Sequence, residues 1–274
     1  MDILQAPAKI NLGLWVLSKL PDGYHEILTF IHKVSLYDRI FIKPAPFLTV
    51  KTTNPKVPAG EENIVYKTVK AFEGFTGFEA NFEILIEKNI PVGGGLGGGS
   101  SDAATVLKYL NEYFGKPLTE EDMQALAASI GSDVPAFLKE GLVKVEGTGD
   151  KVSETGCKFN EELFIVYPNE ESSTQEMYQS ITPELLTKRE EIPIIDNLLG
   201  DVENLLANVE NTLGRIAAEK LPVVKEVLNT LEYLGYKPYI TGSGSSVFAL
   251  GQPSKQLENV CKTKGWTLYK VRFI

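Results

Sequence analysis

Residues 91 to 104 read PVGGGLGGGSSDAA, with glycine at six of the seven positions from 93 to 99. Ordering glycine costs more backbone entropy than ordering any other residue, so the segment is either a loose linker or a loop whose ordering a ligand offsets. Its neighbours bear on the choice. Upstream, ANFEILIEK (80–88) alternates, with Phe82, Ile84 and Ile86 on one face, the period of a half-buried strand. Downstream, SSDAATVLKYLNEYFG sets Ala103, Val106, Leu107 and Leu110 at i, i+3, i+4 and i+7, an amphipathic helix ending near Gly115, with Ser100 and Ser101 as N-cap candidates. A linker separates domains, whereas this run joins a strand to a helix. Glycines leading into a helix N-terminus let successive N–H groups turn toward one anion, where the helix dipole also favours negative charge. The segment reads as a phosphate site.

Three phosphate loops compete for it. Gly93, Gly95 and Gly98 fit the dinucleotide pattern G-x-G-x-x-G, but in so glycine-rich a tract the match is nearly automatic, and no ribose-binding carboxylate follows on a next parallel strand. A Walker A loop after Gly93-x4-Gly98 needs lysine at position 99, where Gly99 stands. What is left is a glycine–serine loop that grips phosphate through main chain, its lysine supplied from elsewhere.

The rest of the chain limits the setting. With 274 residues and 43% hydrophobic content, it is long enough for two packed lobes. A net charge of −9 argues against sequence-independent nucleic-acid binding, though local amides and a lysine or two still make a positive pocket. No apolar run approaches the roughly 20 residues of a membrane span. The first residues, MDILQAPAKINLGLWV, show no cleavage-site pattern, and the two cysteines, Cys157 and Cys261, lie far apart, so a reducing cytoplasm is expected. Two histidines, His25 and His32, exclude a histidine-rich metal site, and His32, on an apolar-flanked strand, reads as structural.

Apolar and β-branched content predicts strands over 2–17 and 32–44, and a helix over 61–75. A second helix opens at Thr119 with a capping-box-like T-E-E-D, and a strand follows near 142–146. Residues 150–160 are polar and read as a connection, which divides the chain into lobes at 1–155 and 156–274. The second lobe has a strand over 162–168, an irregular stretch over 182–200, helices at 203–218 and 222–234, a strand–glycine turn–strand across YITGSGSSVFAL, a helix near 254–264 and a closing strand. Alternating strands and helices in both halves predict a two-lobed α+β protein with a cleft between the lobes.

Two further segments carry chemistry. In APAKINLGLWV, alternation sends Lys9, Asn11 and Gly13 to one side of an apolar strand, which suits either a solvated edge or an anion-facing cleft. In GSDVPAF, Asp133 precedes Pro135 and is either an ordinary turn aspartate or a base; beside a bound phosphate, the useful task for a carboxylate is to accept a proton from an attacking hydroxyl.

Taken in order, PAKINLGL (7–14), PVGGGLGGGSS (91–101) and TGSGSS (241–246) resemble the GHMP kinase superfamily over essentially the full length. LPDGYHE (20–26) beside PAKINLGL, with GSDVP later, is similar to the branch acting on a cytidine-diphosphate-linked methylerythritol in non-mevalonate isoprenoid synthesis. The resemblance implies an N-terminal lobe like ribosomal protein S5, with a left-handed βαβ-type nucleotide site, and a C-terminal α/β sandwich lobe. It implies ATP, with Mg2+, as phosphoryl donor and phosphorylation of the substrate's 2-hydroxyl. Lys9 and Asp133 match the catalytic pair. The ATP phosphates fall to Pro91, Val92, Gly93, Gly94, Gly95 and Leu96, followed by Gly97, Gly98, Gly99, Ser100 and Ser101; adenine falls to Asn63, Ile64 and Val65. Tyr24 and His25 match residues that meet cytosine, with Tyr178 as a second aromatic, and Asn11, Gly242, Ser243, Gly244 and Ser245 face the diphosphate side. No side chain is assigned to the metal. Two departures stand out. Relatives carry N-D-(L/F)-E where Asn211-Thr212-Leu213-Gly214 stands, which leaves Asn211 a structural or peripheral role, and Ile31 replaces an aromatic of some relatives. The rival readings are another superfamily kinase, acting on homoserine, mevalonate or a sugar, and a nucleotide-binding regulator without catalysis.

Overall fold

The opening run DILQAPAKINLGLWVLSK forms one long strand, β1 (Asp2–Lys19), in the computed structural model, which describes residues 1–274. Every residue from 8 to 16 is buried, so Lys9 and Asn11 do not sit on a solvated edge. A turn at Pro21–Tyr24, closed by Leu20 N–H to the Tyr24 carbonyl (2.8 Å) with Gly23 at φ 89, reverses the chain into β2 (His25–Pro44). Strand β2 thus begins at His25 rather than at 32, because EILTFI continues the apolar run back to the turn.

There follow β3 (Thr49–Thr52), α1 (Ile64–Thr76), β4 (Phe82–Glu87), α2 (Gly98–Tyr113), α3 (Glu120–Ile130), α4 (Val134–Phe137), β5 (Leu142–Gly147) and β6 (Lys151–Glu154). Then come β7 (Glu162–Tyr167), α5 (Thr174–Gln179), α6 (Val202–Ala207), α7 (Thr212–Lys220), α8 (Pro222–Tyr233), β8 (Tyr239–Ile240), β9 (Val247–Leu250), α9 (Lys255–Lys264) and β10 (Thr267–Arg272). Several expectations are corrected here. The polar stretch after 150 carries strand β6, which pairs with β5 through a turn whose Thr148 N–H donates to Asp150 Oδ1 at 2.9 Å; an exposed strand of polar residues has the composition of a linker. The helix expected over 203–218 is two helices, since Asn208 ends α6 and Asn211 caps α7. The 182–200 stretch is irregular as expected, with three short 3-10 turns. At Thr119 the capping box forms as expected, Asp122 N–H to Thr119 Oγ1 and Thr119 N–H to Asp122 Oδ2, both at 3.1 Å.

The contacts group the chain into two units, with β1 and β2 lending residues to each. The first comprises Met1–Ala8, Leu36–Val92 and Gly97–Glu140. In it β3 and β4 run parallel, joined by the α1 crossover, and β4 pairs antiparallel with the later half of β2, Ile40 opposite Ile86 and Ile42 opposite Ile84. Its core sets Ile40, Ile42, Phe82, Ile84 and Ile86 of the strands against Val65, Val69 and Phe72 of α1 and Val106, Leu107 and Leu110 of α2. Each fully buried side chain of this size contributes about 1.5–3 kcal/mol. The second unit comprises Lys9–Ser35, Gly93–Leu96 and Gly141–Ile274. Its antiparallel sheet, in the order β10-β7-β9-β8, buries Phe164, Val166, Val247 and Ala249 against Val224, Val227 and Leu231 of α8 and Leu257 and Cys261 of α9. The earlier half of β2 pairs with β5, Thr29 opposite Val145.

Candidate functional site

The glycine segment is built by alternating backbone handedness. Gly93, Gly95 and Gly97 have φ of 67, 76 and 70, in the left-handed region, while Gly94 and Leu96 between them, and Gly98 after them, do not. Alternation of this kind makes an anion-binding nest of main-chain N–H groups. Within the second unit the carbonyls are taken: Gly93 accepts from Ser172 N–H (2.8 Å), Gly94 from Ser246 N–H (3.2 Å) and Leu96 from Lys9 N–H (3.0 Å). In a planar trans peptide the N–H lies opposite the carbonyl, so those of Gly94, Gly95 and Gly97 are directed away from these partners.

The first unit receives the segment at the start of α2. Gly97, not a serine, is the N-cap, and no side chain caps the helix. The first helical bond runs from Ser101 N–H to the Gly97 carbonyl at 2.9 Å, so the amides of Gly98, Gly99 and Ser100 precede any intrahelical partner. This corrects the N-cap reading of Ser100 and Ser101: both lie in the first turn, and a left-handed glycine enters the helix in a conformation serine adopts poorly. The Ser101 hydroxyl is buried and without a protein partner. A Cβ added to Gly99 would meet only Ile64 Cγ2, at 3.8 Å, so neither packing nor backbone strain demands glycine there. Its bareness leaves the first turn open to a ligand.

Ile64 links the other first-unit candidates. A Cβ on Gly131 would also lie 3.8 Å from it, at Cδ1. Asn63 is the N-cap of α1: Oδ1 accepts from Val65 N–H at 2.8 Å and Nδ2 donates to the Pro58 carbonyl at 2.6 Å. Val65 belongs to the core, so a base meeting Asn63–Val65 would meet main chain and Ile64. Asp133 immediately precedes α4, half-buried, and its carboxylate makes no cap bond.

In the second unit Lys9 is held in one pose. Its Nζ donates to Asn11 Oδ1 at 2.5 Å, and both residues are 4% exposed. Asn11 Nδ2 donates to Thr29 Oγ1 (2.8 Å), which donates onward to the Gly13 carbonyl (2.6 Å), fixing which way the amide faces. The backbone N–H of Asn11 donates to Thr241 Oγ1 at 3.0 Å. The TGSGSS turn comes within van der Waals reach of this pair: a Cβ on Gly242 (φ 55) would lie 3.3 Å from Lys9 Nζ and 3.2 Å from Asn11 Oδ1. Ser172 Oγ donates to the Ser243 carbonyl (2.6 Å), Thr174 and Ser243 share a hydroxyl contact at 2.8 Å, and Ser245 Oγ donates to the Glu170 carbonyl. Lys9, Asn11, Gly93–Leu96 and Gly242–Ser245 are thus brought together.

The aromatic candidates differ in burial. Tyr24 is 63% exposed, while the His25 ring stacks on Tyr178 of α5 at 5.4 Å with 22° between planes. Burial, with the Lys19 charge, lowers the His25 pKa, so the imidazole is neutral near pH 7 and presents one donor and one acceptor.

Several supporting residues escape a sequence reading. Lys88 bonds both Asp38 and Asp102, the latter at 2.7 Å, with all three side chains 3% exposed or less. Asp38 Oδ1 accepts from the N–H groups of Asn89 (2.6 Å) and Ile90 (2.8 Å), so one ammonium ties the entry of the glycine segment to the first turns of α2. Burial pushes Asp102 up to about 7 against the pull of Lys88, with Asp38 adding to the rise. Thr29, Ser172 and Thr174 likewise become visible only through long-range hydrogen bonds. The one available cue is a lysine and an aspartate flanking the glycine run.

The GHMP kinases N-terminal domain family matches residues 63–141. The 4-diphosphocytidyl-2-C-methyl-D-erythritol kinase of Persephonella marina is 54% identical over 270 residues, covering 98% of each chain, and that of a Sulfurihydrogenibium species is 48% identical over 99% of each. A crystal structure of 4-(cytidine 5'-diphospho)-2C-methyl-D-erythritol kinase superposes with a TM-score of 0.80 at 29% identity over 99% of both chains. The Methanococcus jannaschii mevalonate kinase, at 17% identity over 100% of this chain and 98% of its own, shares the fold with a TM-score of 0.74.

Proposed function

Because this chain belongs to the 4-diphosphocytidyl-2-C-methyl-D-erythritol kinase family of the GHMP kinases, we propose that it transfers the γ-phosphoryl of ATP to the 2-hydroxyl of 4-diphosphocytidyl-2-C-methyl-D-erythritol, in the cytoplasm. The observation that carries the reading is the glycine segment itself, with left-handed φ at Gly93, Gly95 and Gly97 leading into a helix whose first turn opens on Gly98 and Gly99 and is capped by no side chain. Amides arranged before the ligand arrives cost no reorganisation when charge develops on the transferring phosphoryl group.

In this reading Asp133 accepts the proton of the attacking hydroxyl, and the Lys9 ammonium orients that hydroxyl and offsets the charge that builds as phosphoryl moves. The short bond to Asn11 and the close approach of Gly242 support a fixed Lys9, which is what catalysis by positioning requires. Tyr24, His25 and Tyr178 take the cytosine, a neutral imidazole reading the base edge. Asn11 and Gly242–Ser245 face the diphosphate. No side chain is assigned to Mg2+, which would be carried by the nucleotide and would supply neutralising charge there.

The test is a phosphate-transfer assay with ATP, Mg2+ and the cytidine-bearing alcohol, with mevalonate and homoserine alongside. Turnover is expected on the first only. Asp133→Asn should lower kcat by about 10²–10⁴-fold while the protein still binds ATP. Comparable turnover on mevalonate or homoserine, or a fully active Asp133→Asn variant, would refute the assignment.

A further inference from the structure

Asn211 stands where the family pattern breaks, and its side chain is engaged at both ends. Oδ1 accepts from Gly214 N–H at 2.8 Å, capping α7. Nδ2 donates twice, to the carbonyls of Ile240 (2.8 Å) and Gly242 (2.9 Å). These partners fix the amide, because the flipped form would set its oxygen against two carbonyl oxygens. The main chain here is anchored to β1, through Leu14 N–H to the Glu210 carbonyl (2.8 Å) and a parallel bridge between Leu14 and Asn211. Gly214 makes the arrangement possible: a Cβ there would lie 2.8 Å from Asn211 Nδ2 and 3.0 Å from Ile240 Cβ. The Gly242 carbonyl belongs to the glycine turn that lies against Lys9 and Asn11, and the Ile240 carbonyl ends β8 immediately before that turn.

We propose that Asn211 is a positioning residue for Lys9: by holding the carbonyls of Ile240 and Gly242 it keeps the TGSGSS turn closed on the Lys9–Asn11 pair. The proposal rests on the catalytic reading of Lys9 given above. Neighbouring bonds hold the turn at Thr241, Ser243 and Ser245, so losing the Asn211 amide frees the stretch nearest the ammonium while the rest stays attached. The expected defect is misalignment, without loss of the fold.

Asn211→Asp tests this with almost no change in shape. A carboxylate keeps the cap on Gly214 N–H, where the helix dipole favours it, but it cannot donate and so repels both carbonyls. At pH 8 the variant should fold with wild-type circular dichroism and keep the wild-type KM for ATP, with kcat lower by about 10–100-fold. Because a protonated carboxyl regains one donor, the ratio of variant to wild-type kcat should rise as pH falls toward 5. Lys9 and the Glu210–Arg215 pair (3.7 Å) are present in both proteins, so what the variant adds is the single new carboxylate. Should the aspartate variant not fold, Asn211→Ser keeps a capping hydroxyl too short to reach either carbonyl, and the same fall in kcat is expected. Lys9→Ala is measured in parallel. An inactive Lys9→Ala beside an Asn211→Asp of wild-type kcat overturns the proposal alone, whereas an active Lys9→Ala overturns the catalytic reading beneath it. A kcat ratio independent of pH, or failure of both Asn211 variants to fold, reduces Asn211 to a helix cap and also overturns the proposal.

Discussion

Lowering the pH from 7.5 to 5.0 should cost the native state about 2 kcal/mol through His32 alone, and the reasoning starts from two hydrogen bonds. His32 is wholly buried in β2, against Phe273 (ring centroids 4.8 Å apart) and Phe159 (5.8 Å). Its Nε2 accepts from Phe159 N–H at 3.2 Å, so the single proton sits on Nδ1 and is donated to the Lys33 carbonyl at 2.9 Å. Only the neutral ring meets both partners; a second proton would set N–H against N–H. Burial, helped by the Lys33 and Lys158 charges, accordingly lowers the pKa from 6.5 to about 4. Between those two values the unfolded chain holds a proton that the native protein does not. Stability is therefore full above 6.5 and falls as pH drops toward 4.

The assay is urea denaturation at both pH values, on wild type and on His32→Gln, which cannot titrate. The variant loses some stability everywhere, but the quantity that matters is the drop between pH 7.5 and 5.0. Wild type should drop by about 2 kcal/mol more than the variant. Carboxylates whose pKa is lowered, such as Glu26 and Glu146, contribute equally to both and cancel. Equal drops in the two proteins would refute the assigned tautomer and the buried neutral ring.

Three further predictions concern the glycine segment and its support. Gly99→Ala adds a methyl that meets only Ile64 at 3.8 Å, in a helix where alanine is favoured by about 1 kcal/mol, so its Tm should hold or rise while the KM for ATP rises at least about tenfold. Gly95→Ala, at φ 76, would overlap the Thr241 carbonyl and lie 2.8 Å from that of Gly244, costing about 2 kcal/mol or more and lowering Tm; an unchanged KM in Gly99→Ala would remove the phosphates from this turn. Asp102, raised from 3.8 to about 7 by burial, costs the native state stability as pH climbs through that interval, since the unfolded chain gives up its proton first. Asp102→Asn removes the cost and leaves Lys88 paired with Asp38, so its Tm should exceed that of wild type by more at pH 8 than at pH 5; an equal difference at both would refute the assignment.

What could be read from the chain in advance follows the range of the interactions involved. The capping box at Thr119 and the helical stripe Val106–Leu107–Leu110 are local, set within one or two turns, and they appear as expected. The backbone of the glycine segment was legible because no other residue enters the left-handed region three times in five positions at low cost. The serines misled for a related reason: a favoured N-cap residue says nothing when a left-handed glycine is already the cap. Burial separated the two readings of Lys9, since a strand buried on both faces can carry an ammonium only if a partner such as Asn11 awaits it. Partners of this kind are chosen by tertiary structure, 230 residues away for Asn11 and Thr241 and 50 for Lys88 and Asp38. Asn211 shows the limit most clearly. Its sequence context departs from the family pattern at Thr212 and Gly214, which on paper weakens any claim on it. In the fold, the missing side chain of Gly214 is what lets the Asn211 amide pass Ile240 and reach the turn beside Lys9, so the departure and the tether are one feature.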